Sequence, residues 1–394
     1  MRGAARLGLT ALASRPLTAL AAAVNLPFAN GNRPLVKYPQ KRPLIRLTTR
    51  PPQLETPFAV FNESVLTPND AFFVRYHLSE LPLDIDAETF HLKVSGRVKD
   101  SVEFSIDDLK KKFKPVETVA VNQCSGNGRG FFSPRVGGGQ MGNGAMGNAR
   151  WTGARLKDVL EAAGVLSGAL QVSFQGLDRP LSEKTPGFAK ALALDHARDG
   201  EVMLAYAMNG EDLPFLNGYP LRLVVPGYYG TYWVKHLNSI EVLDHEFDGY
   251  WIKTAYRIPD NDCACVPEGT KTEKTRPIGK LNARSFITSL EDGARVAARK
   301  ELRVGGIAFD GGAGIKSVAF STDGGNNWVD ADLGKNLGRY SFREWTAAFT
   351  PARGEQKLLC RATSNAGETQ PLKPLWNPTG YMRNVVETIT VKAS

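Results

Sequence analysis

The most informative segment of the chain reads Thr118-Val119-Ala120-Val121-Asn122-Gln123-Cys124-Ser125-Gly126-Asn127-Gly128-Arg129-Gly130. Its first part is apolar and β-branched, which predicts a buried strand, and its second part is a polar, glycine-rich loop. Cys124 therefore lies where a strand ends and a loop opens. A free cysteine is most often a small buried hydrophobe, but glycines let a ligand approach the backbone and nearby positive charge favours a thiolate. Cys124 is accordingly a candidate thiolate ligand or nucleophile, with simple burial as the alternative.

Composition indicates an ordinary globular protein. The chain has 394 residues, of which 42% are hydrophobic and 23% are charged, so it is long enough for two domains. The formal net charge is +9, but no run of lysine and arginine and no basic stripe with aromatic residues stands out, so no nucleic-acid partner is predicted. An anionic small substrate or an acidic protein partner explains the excess charge equally well.

The N-terminal residues 1–30 are interpreted as an export signal. Arg2 and Arg6 precede two short apolar runs, and small residues at positions 21–23 offer a cleavage site. These runs are too short and interrupted to span a bilayer, and no other segment is apolar and long enough for a membrane helix. A disordered or weakly helical tail is the alternative. Residues 31–57, rich in Pro, Arg and Lys, are predicted to form an extended arm over the surface.

The predicted fold class is α+β, with a mixed α/β domain at residues 58–272 and an immunoglobulin-like β-sandwich at residues 273–394. Ser105, followed by acidic residues, predicts the start of a helix. An apolar stripe that begins at Leu156 and stops at Gly164 predicts a second helix. In the C-terminal part, Val318 and Phe320 alternate before a glycine-containing turn, which is typical of a sandwich strand.

Two pairs of polar residues are candidates for binding an anion. Arg75 and His77 follow the apolar residues 72–74 and are predicted to share one face of a strand, with an exposed strand face as the alternative. Arg222 and Lys235 flank a Val-Val-Pro-Gly turn. Their charges would suit a phosphate group, with solvated strand ends as the alternative.

Glycine and cysteine patterns limit the cofactor classes. Gly142–Gly147 fits G-x-G-x-x-G, but no strand precedes it, so it is predicted to be a flexible loop at the mouth of a pocket rather than a dinucleotide site. Cys263 and Cys265 are too close in sequence to bridge each other readily, and they and Cys360 are predicted to be inert or weakly buried thiols, with a disulfide from Cys263 or Cys265 to another cysteine as the alternative. The chain has no C-x-x-C-H motif, so no covalent haem is expected in it.

Several segments together resemble one protein family. The Cys124 loop from Asn122 to Arg129 is similar to the cofactor loop of the sulfite oxidase family of molybdenum enzymes, and the likeness is greatest to bacterial periplasmic sulfite:cytochrome c oxidoreductases, also called sulfite dehydrogenases. The resemblance covers most of the chain in the family's order. Its further segments are Phe72-Phe73-Val74-Arg75-Tyr76-His77-Leu78, Ala149-Arg150-Trp151-Thr152-Gly153-Ala154-Arg155-Leu156 and Gly218-Tyr219-Pro220-Leu221-Arg222-Leu223-Val224-Val225-Pro226-Gly227.

The resemblance implies a site for a molybdenum–molybdopterin cofactor in residues 58–272, with Cys124 as the protein ligand of the metal. It further implies that Arg75 and Arg129 bind sulfite, that Tyr256 hydrogen-bonds the reacting oxygen, and that His77 holds the local network. The residues implied to contact the cofactor are Phe73, Val74, Arg75, Tyr76, His77, Cys124, Arg155, Asp178, Asn217, Arg222, Trp233, Val234 and Lys235.

Three positions of this chain differ from the animal members of the family that it resembles. Tyr76 stands where they have asparagine, which alters local hydrogen bonding. Asn217 stands where they have histidine, so this position can hydrogen-bond a phosphate only without charge. Thr379 stands where they have arginine, so one cation of the substrate site must come from elsewhere or be absent.

The implied reaction converts sulfite and water to sulfate, and its two electrons leave one at a time. Since no haem is expected in the chain, a c-type cytochrome or a cytochrome subunit is the implied acceptor. The alternatives are a periplasmic molybdenum sulfoxide reductase and a metal-free binding partner that keeps the fold. A periplasmic location follows from the likeness and the export signal, whereas a homodimer and a heterodimer with a cytochrome both stay open.

Overall fold

The computed structural model describes residues 22–394, so the first 21 residues of the predicted export signal lie outside the described residues. The described chain begins with an antiparallel five-stranded sheet in which neighbours in sequence pair. Its strands are β1 (Ala23–Asn25), β2 (Asn32–Val36), β3 (Leu44–Thr48), β4 (Gln53–Glu55) and β5 (Val74–Arg75).

This first sheet bears on two predictions about the N-terminal region. Pairing of β1 with β2 places the end of the predicted 1–30 signal inside the sheet. Residues 31–57 are not an extended arm over the surface, because Leu44 and Leu54 are buried against Val74 and Tyr76. The strands are short and their hydrophobic pattern is interrupted by proline and charge, so it was the tertiary contacts that selected the sheet.

The central part of the chain adds two larger sheets. In chain order the strands are β6 (His91–Gly96), β7 (Val102–Ser105), β8 (Val116–Gln123), β9 (Met146–Arg155), β10 (Gln171–Gly176), β11 (Ala189–Ala193), β12 (Met203–Met208), β13 (Glu211–Asp212), β14 (Arg222–Val224), β15 (Leu237–Leu243), β16 (Arg257–Pro259) and β17 (Thr275–Pro277). One sheet has the strand order β11-β10-β15-β6-β7. The other has the order β13-β12-β9-β8, and β14 also pairs with β12.

Helices are short and lie between these strands. Both predicted helix boundaries are confirmed: Ser105 caps α1 (Ile106–Lys112) in a capping box with Asp108, and Gly164 ends α2 (Leu156–Ala163) in the left-handed region at φ 70°. The other α-helices are α3 (Leu194–Ala197) and α4 (Tyr250–Lys253). The 3-10 helices are Phe58–Asn62, Arg129–Phe131, Phe215–Asn217 and Gly230–Tyr232.

The C-terminal region folds as the predicted β-sandwich. Its two sheets have the strand orders β18-β20-β24-β23 and β19-β26-β25-β21-β22. The side chains buried between the two sheets include Val318, Phe320, Trp345 and Leu358. Burial among these side chains raises the pKa of the Cys360 thiol to about 12, so this thiol is inert as predicted. The strands are β18 (Arg284–Ile287), β19 (Ala294–Val296), β20 (Leu302–Phe309), β21 (Ile315–Ser321), β22 (Val329–Asp330), β23 (Asp332–Leu333), β24 (Arg343–Phe349), β25 (Gly354–Ser364) and β26 (Thr388–Ala393).

The sandwich packs directly against the strand that leads to Cys124. Within β8, the Val121 N–H donates to the Tyr340 carbonyl at 2.9 Å. In the neighbouring β9, the Asn148 side chain donates to the Ser341 hydroxyl at 3.0 Å. The two domains therefore share one core around the base of the Cys124 loop. Across residues 22–394, no helix has the length and apolar character needed to cross a membrane.

Candidate functional site

A cavity opens at the end of β8. It is enclosed by the segment after β4, the end of β8, the loops around β14, and single residues of three further segments. The lining residues are Phe72, Phe73, Arg75, Tyr76, His77, Asn122, Cys124, Ser125, Asp178, Phe188, Asn217, Arg222, Gly230, Thr231, Trp233, Lys235 and Tyr256.

Cys124 lines this cavity on a loop whose backbone is fixed. Its N–H donates to the Ala145 carbonyl at 2.9 Å, and its carbonyl accepts the N–H of Asn127 at 3.0 Å. The Asn127 side chain returns to accept the Ala145 N–H at 3.0 Å. The side chain of Cys124 is a free thiol that is largely buried yet faces the cavity, as a metal ligand held by a rigid loop would be.

Arg75, His77 and Tyr256 meet on one wall of the cavity. The His77 ring nitrogen Nε2 and the Tyr256 hydroxyl are 2.5 Å apart, and the His77 ring stacks on Phe188 at 3.8 Å. Burial, then the charges of Arg75 and other cations, holds the pKa of His77 well below its usual value, so the imidazole is neutral. Arg75 keeps a buried Nη1 without a hydrogen-bond partner.

The predicted strand at this wall is shorter than expected. β5 contains only Val74 and Arg75, so His77 lies beyond its end. Arg75 and His77 nevertheless line the same cavity, as their predicted shared face required. Tyr256 occupies the left-handed region at φ 60°, a conformation that non-glycine residues rarely adopt and that is over-represented at functional sites.

Arg129 is not among the cavity-lining residues, although it was predicted to bind sulfite with Arg75. Its Nε donates to the Thr379 carbonyl at 3.1 Å, and its guanidinium lies 4.7 Å from the centre of the Tyr381 ring. Tyr381 in turn stacks on Tyr256 at 5.3 Å. Thr379 thus supplies a backbone acceptor for Arg129, whose guanidinium reaches the wall through the stacked rings of Tyr381 and Tyr256.

Basic side chains form another part of the cavity lining. Arg222 is buried, and it donates to the Asn217 carbonyl at 2.7 Å and to the Trp233 carbonyl at 3.3 Å. Burial lowers the pKa of Arg222 to about 9 and raises that of Asp178 to about 6. The Lys235 ammonium lies 3.0 Å from the centre of the Tyr76 ring, and burial and nearby cations lower its pKa strongly. With Asp178 as the one carboxylate on this lining, the cations fit an anionic ligand.

Lys41 supplies a further cation that the sequence did not reveal. Its amine donates to the Asn69 carbonyl at 2.6 Å, to the Phe72 carbonyl at 3.1 Å and to the Asn217 side-chain oxygen. Burial lowers the pKa of Lys41 to about 7. Lys41 therefore places an ionisable amine beside the uncharged Asn217, and an anionic ligand there would favour its protonated form. In the sequence Lys41-Arg42-Pro43 has the composition of a surface turn.

The remaining predicted cofactor residues divide into three groups. Phe73, Tyr76 and Trp233 line the cavity, and the Tyr76 hydroxyl lies 2.7 Å from a ring nitrogen of the buried His236, another residue that the sequence did not indicate. Val74 and Val234 are buried nearby but pack into the protein core. Arg155 is exposed at the N-terminal end of α2 and is not brought to the cavity.

Several cavity-lining side chains have buried polar atoms that no group within residues 22–394 satisfies. Such atoms are rare in proteins and call for a ligand or water partner. Gly230 adds to this arrangement, because a Cβ there would approach the Asn122 side-chain oxygen to 2.3 Å. Donors, acceptors, cations and one thiol in a single cavity fit a phosphorylated pterin that carries a metal. The atoms are Arg75 Nη1, Asn122 Oδ1, Ser125 Oγ, Arg222 Nε and Thr231 Oγ1.

The glycine-rich segment 137–147 contributes no residue to the cavity lining, contrary to its predicted place at the mouth. It packs behind the Cys124 loop, where Gly128 donates to the Gly142 carbonyl at 2.7 Å. Gly142 in turn donates its N–H to the Glu55 carboxylate at 3.1 Å. Burial raises the pKa of Glu55 to about 7. Glu55 thus links the segment that supports the Cys124 loop to the first sheet.

Replacing Glu55 by glutamine is expected to flatten the pH dependence of stability. The folded protein binds the Glu55 proton more tightly than the unfolded chain, because its pKa rises from 4.5 to about 7. This stabilisation is complete below the unfolded pKa and is lost as the pH rises through about 7. A shift of this size corresponds to about 3 kcal/mol of unfolding free energy. Glutamine does not titrate, so the variant does not lose this free energy as the pH rises.

Urea unfolding of both proteins at about pH 5 and about pH 8 would measure this effect. The variant keeps an acceptor for the Gly142 N–H, so its fold is retained. Taking the difference between the two proteins removes the contributions of Asp178, Lys41 and Lys190, whose pKa values are also shifted toward this range. Equal losses of stability in both proteins between the two pH values would contradict the prediction.

Cys263 and Cys265 are joined in a disulfide, so the prediction that they do not bridge each other was wrong. Ala264 between them adopts a left-handed backbone at φ 48°, and the two Cα atoms are 5.1 Å apart. Residues only two apart can meet in this way when the middle residue reverses the chain, which a spacing rule alone does not capture.

Comparison with known proteins agrees with this site. Residues 78–251 match the family described as oxidoreductase molybdopterin binding domain, and residues 275–394 match the Mo-co oxidoreductase dimerisation domain. The mitochondrial sulfite oxidase of Mus musculus is 34% identical over 383 residues, covering 93% of this chain and 69% of that protein. The sulfite oxidase of Arabidopsis thaliana is 29% identical over 381 residues, covering 91% of this chain and 96% of that protein.

Other relatives mark the range of the family. The NADH nitrate reductase of Spinacia oleracea is 30% identical over 381 residues, covering 86% of this chain and 39% of that protein. In fold, the chain is similar to the sulfane dehydrogenase SoxCD from Paracoccus pantotrophus, with a TM-score of 0.75, 24% identity, and coverage of 98% of this chain and 93% of that chain. The fold and the cavity thus define a molybdopterin-binding oxidoreductase. The chain belongs to the sulfite oxidase family of molybdenum enzymes, whose cofactor is molybdenum–molybdopterin.

Proposed function

We propose that this protein oxidises sulfite to sulfate and passes the electrons singly to a c-type cytochrome. The observation that carries the proposal is the wall where Arg75 presents an unpartnered guanidinium nitrogen beside the His77–Tyr256 pair, in the same cavity as Cys124. A guanidinium matches the oxygens of a small inorganic oxyanion and remains charged at any physiological pH. Sulfite oxidases among the relatives support the same substrate.

The cofactor would be held by Cys124 at its metal and by Arg222, Lys235 and Lys41 near its anionic end. When bound, it supplies oxygen-atom transfer to sulfur and takes up the electron pair. The overall reaction is balanced as sulfite and water giving sulfate, two protons and two electrons. Packed aromatic rings around the substrate would exclude bulk water. The exclusion of water would strengthen the charge interactions of the protein with the anion.

The residues of the substrate wall would divide the work as follows. Arg75 would bind the anion through its free Nη1. Burial raises the pKa of Tyr256, so its phenol remains protonated and can donate a hydrogen bond to a substrate oxygen. His77 is neutral and fixes the direction of the Tyr256 hydroxyl. Arg129 would act through Tyr381 rather than by touching sulfite.

Location and partners form part of the same proposal. We propose export to the periplasm, supported by the apolar, arginine-preceded N-terminal run and the likeness to bacterial periplasmic enzymes. The oxidation releases two electrons and therefore needs an acceptor, for which we propose a c-type cytochrome. The match of residues 275–394 to a dimerisation domain makes self-association the first assembly to test by light scattering.

Sulfite-dependent reduction of cytochrome c by the purified protein, normalised to bound molybdenum, tests the proposed activity. Rapid turnover that requires sulfite would support it, with sulfate as the control anion. A protein that is full of molybdenum but inert toward sulfite would contradict it. Reduction of a sulfoxide or of nitrate by a reduced dye would instead favour a reductase, and a folded protein that takes up no molybdenum in a cofactor-producing host would favour a binding partner.

A further inference from the structure

Lys190 is a fully buried lysine that the proposed chemistry has not used. It is the second residue of β11, opposite Phe174 of β10, with 0% of its surface exposed. Lysine is almost never fully buried unless its amine has a specific partner, because removing the charge from water is costly. Burial alone lowers the pKa of Lys190 to about 7, and no carboxylate contributes to the shift.

The Lys190 amine is held by groups that belong to the substrate wall. It donates to the Trp251 carbonyl at 2.6 Å. The same nitrogen lies 5.1 Å from the centre of the Tyr256 ring and 4.5 Å from that of Tyr232. A cation over an aromatic face is attracted by the ring quadrupole, and more strongly where water is excluded. Lys190 therefore hydrogen-bonds Trp251 and lies over the face of the Tyr256 ring.

The same lysine connects the two segments that enclose His77. Phe188, two residues before Lys190, stacks on the His77 ring at 3.8 Å with an interplanar angle of 9°. The Trp251 carbonyl accepts the hydrogen bond of Lys190. The Trp251 ring centre lies 5.2 Å from that of His77 and 5.4 Å from that of Phe188. Releasing the Lys190 amine would free β11 and α4 to move apart, and the imidazole between them would lose its fixed orientation.

We propose that Lys190 is a positioning residue that fixes Tyr256 and Trp251 relative to His77, so that phenol and imidazole act on the substrate in one geometry. The inference rests on the proposed function for what the pair does, but the packing that it describes is independent of turnover. The titratable groups that face Lys190 are Tyr232 and Tyr256. Those that act on His77 are Tyr256, by its hydrogen bond, and Arg75, Lys190 and Lys235, by their charge.

A double-mutant cycle with Lys190→Met and Tyr256→Phe tests the proposal. Methionine matches the length of lysine without its charge or donor, and we expect kcat/KM for sulfite to fall about 10- to 100-fold, as misplaced catalytic groups cause. In the Tyr256→Phe background the same substitution should have little further effect, because the group it positions is already removed. Lys93→Met, which replaces an exposed strand lysine, is the matched control and should leave kcat/KM unchanged.

A second measurement does not depend on turnover. Histidine ring resonances of wild type and Lys190→Met, with His77→Gln to assign the signal, report the pKa of His77. We expect that pKa to rise in Lys190→Met, because one of the cations that lowers it is gone. If methionine at this position prevents folding, Lys190→Gln keeps a donor for the Trp251 carbonyl and removes the charge.

The outcomes separate this proposal from the proposed function. A wild-type protein that does not oxidise sulfite overturns the proposed function, and the His77 titration still decides the role of Lys190. The positioning role would be overturned if the losses of kcat/KM from Lys190→Met and Tyr256→Phe multiplied fully in the double variant. An unchanged His77 pKa in Lys190→Met would also overturn it. Wild-type kcat/KM in Lys190→Met would do the same.

Discussion

Cys124→Ser is expected to abolish sulfite oxidation while leaving the protein folded. Serine is nearly isosteric, and the backbone bonds of Cys124 to Ala145 and Asn127 do not involve its side chain. An alcohol is a far poorer metal ligand than a thiolate, because it retains its proton at neutral pH. Loss of groups that merely support a ligand costs about 10- to 100-fold in activity, so loss of the ligand itself should cost at least about 100-fold.

The measurement is turnover per bound molybdenum, together with the thermal midpoint of unfolding. Cys360→Ser is the matched control, because Cys360 is the other free cysteine of the described residues and lies in the sandwich core. That control should lower the unfolding midpoint, since it places a hydroxyl among apolar side chains, but it should leave turnover unchanged. Retention of turnover in Cys124→Ser would remove Cys124 from the metal site.

Arg75→Met is expected to raise the KM for sulfite by about 10- to 100-fold. The wild-type guanidinium presents a buried Nη1 without a protein partner, and a charge-assisted hydrogen bond from it to the substrate contributes about 1.5–3 kcal/mol. A smaller change in kcat is expected, because the His77–Tyr256 pair is retained.

Arg129→Met provides the informative comparison. Arg129 reaches the wall only through Tyr381, so its loss should disturb Tyr256 and lower kcat more than it raises KM. Arg150→Met removes an exposed arginine paired with Glu117 and should alter neither constant. Equal increases of KM in the Arg75 and Arg129 variants would contradict the arrangement on the wall, and an unchanged KM in Arg75→Met would exclude anion binding by Arg75.

The parts of the structure that the sequence predicted are those in which local chemistry and tertiary contacts agree. The strand before Cys124, the cap at Ser105 and the stop at Gly164 each follow from the preference of a few adjacent residues. Alternation at Val318 and Phe320 likewise required only a two-residue period. The family likeness then brought together residues that no local pattern connects, such as Arg75 and Tyr256.

The parts that the sequence missed depend on contacts between distant segments. Lys41 and Lys190 are buried against groups that are far away in the chain. The residue type alone predicts exposure, because most lysines in proteins are exposed. Glu55 has no signal of its own, because its partner is the backbone of a glycine loop. The bridge between Cys263 and Cys265 depended on the backbone angle of Ala264, which a pattern of residue types does not specify.

The contacts that complete the cavity join segments far apart in the chain, and this determines the order in which the protein can assemble. Arg129 and Thr379 are separated by 250 positions, His77 and Tyr256 by 179. Contacts of such long range form late, because a large loop must be ordered before they contribute. During synthesis the Cys124 loop emerges well before residue 379, so Arg129 gains its Thr379 acceptor only after the C-terminal segment has been made.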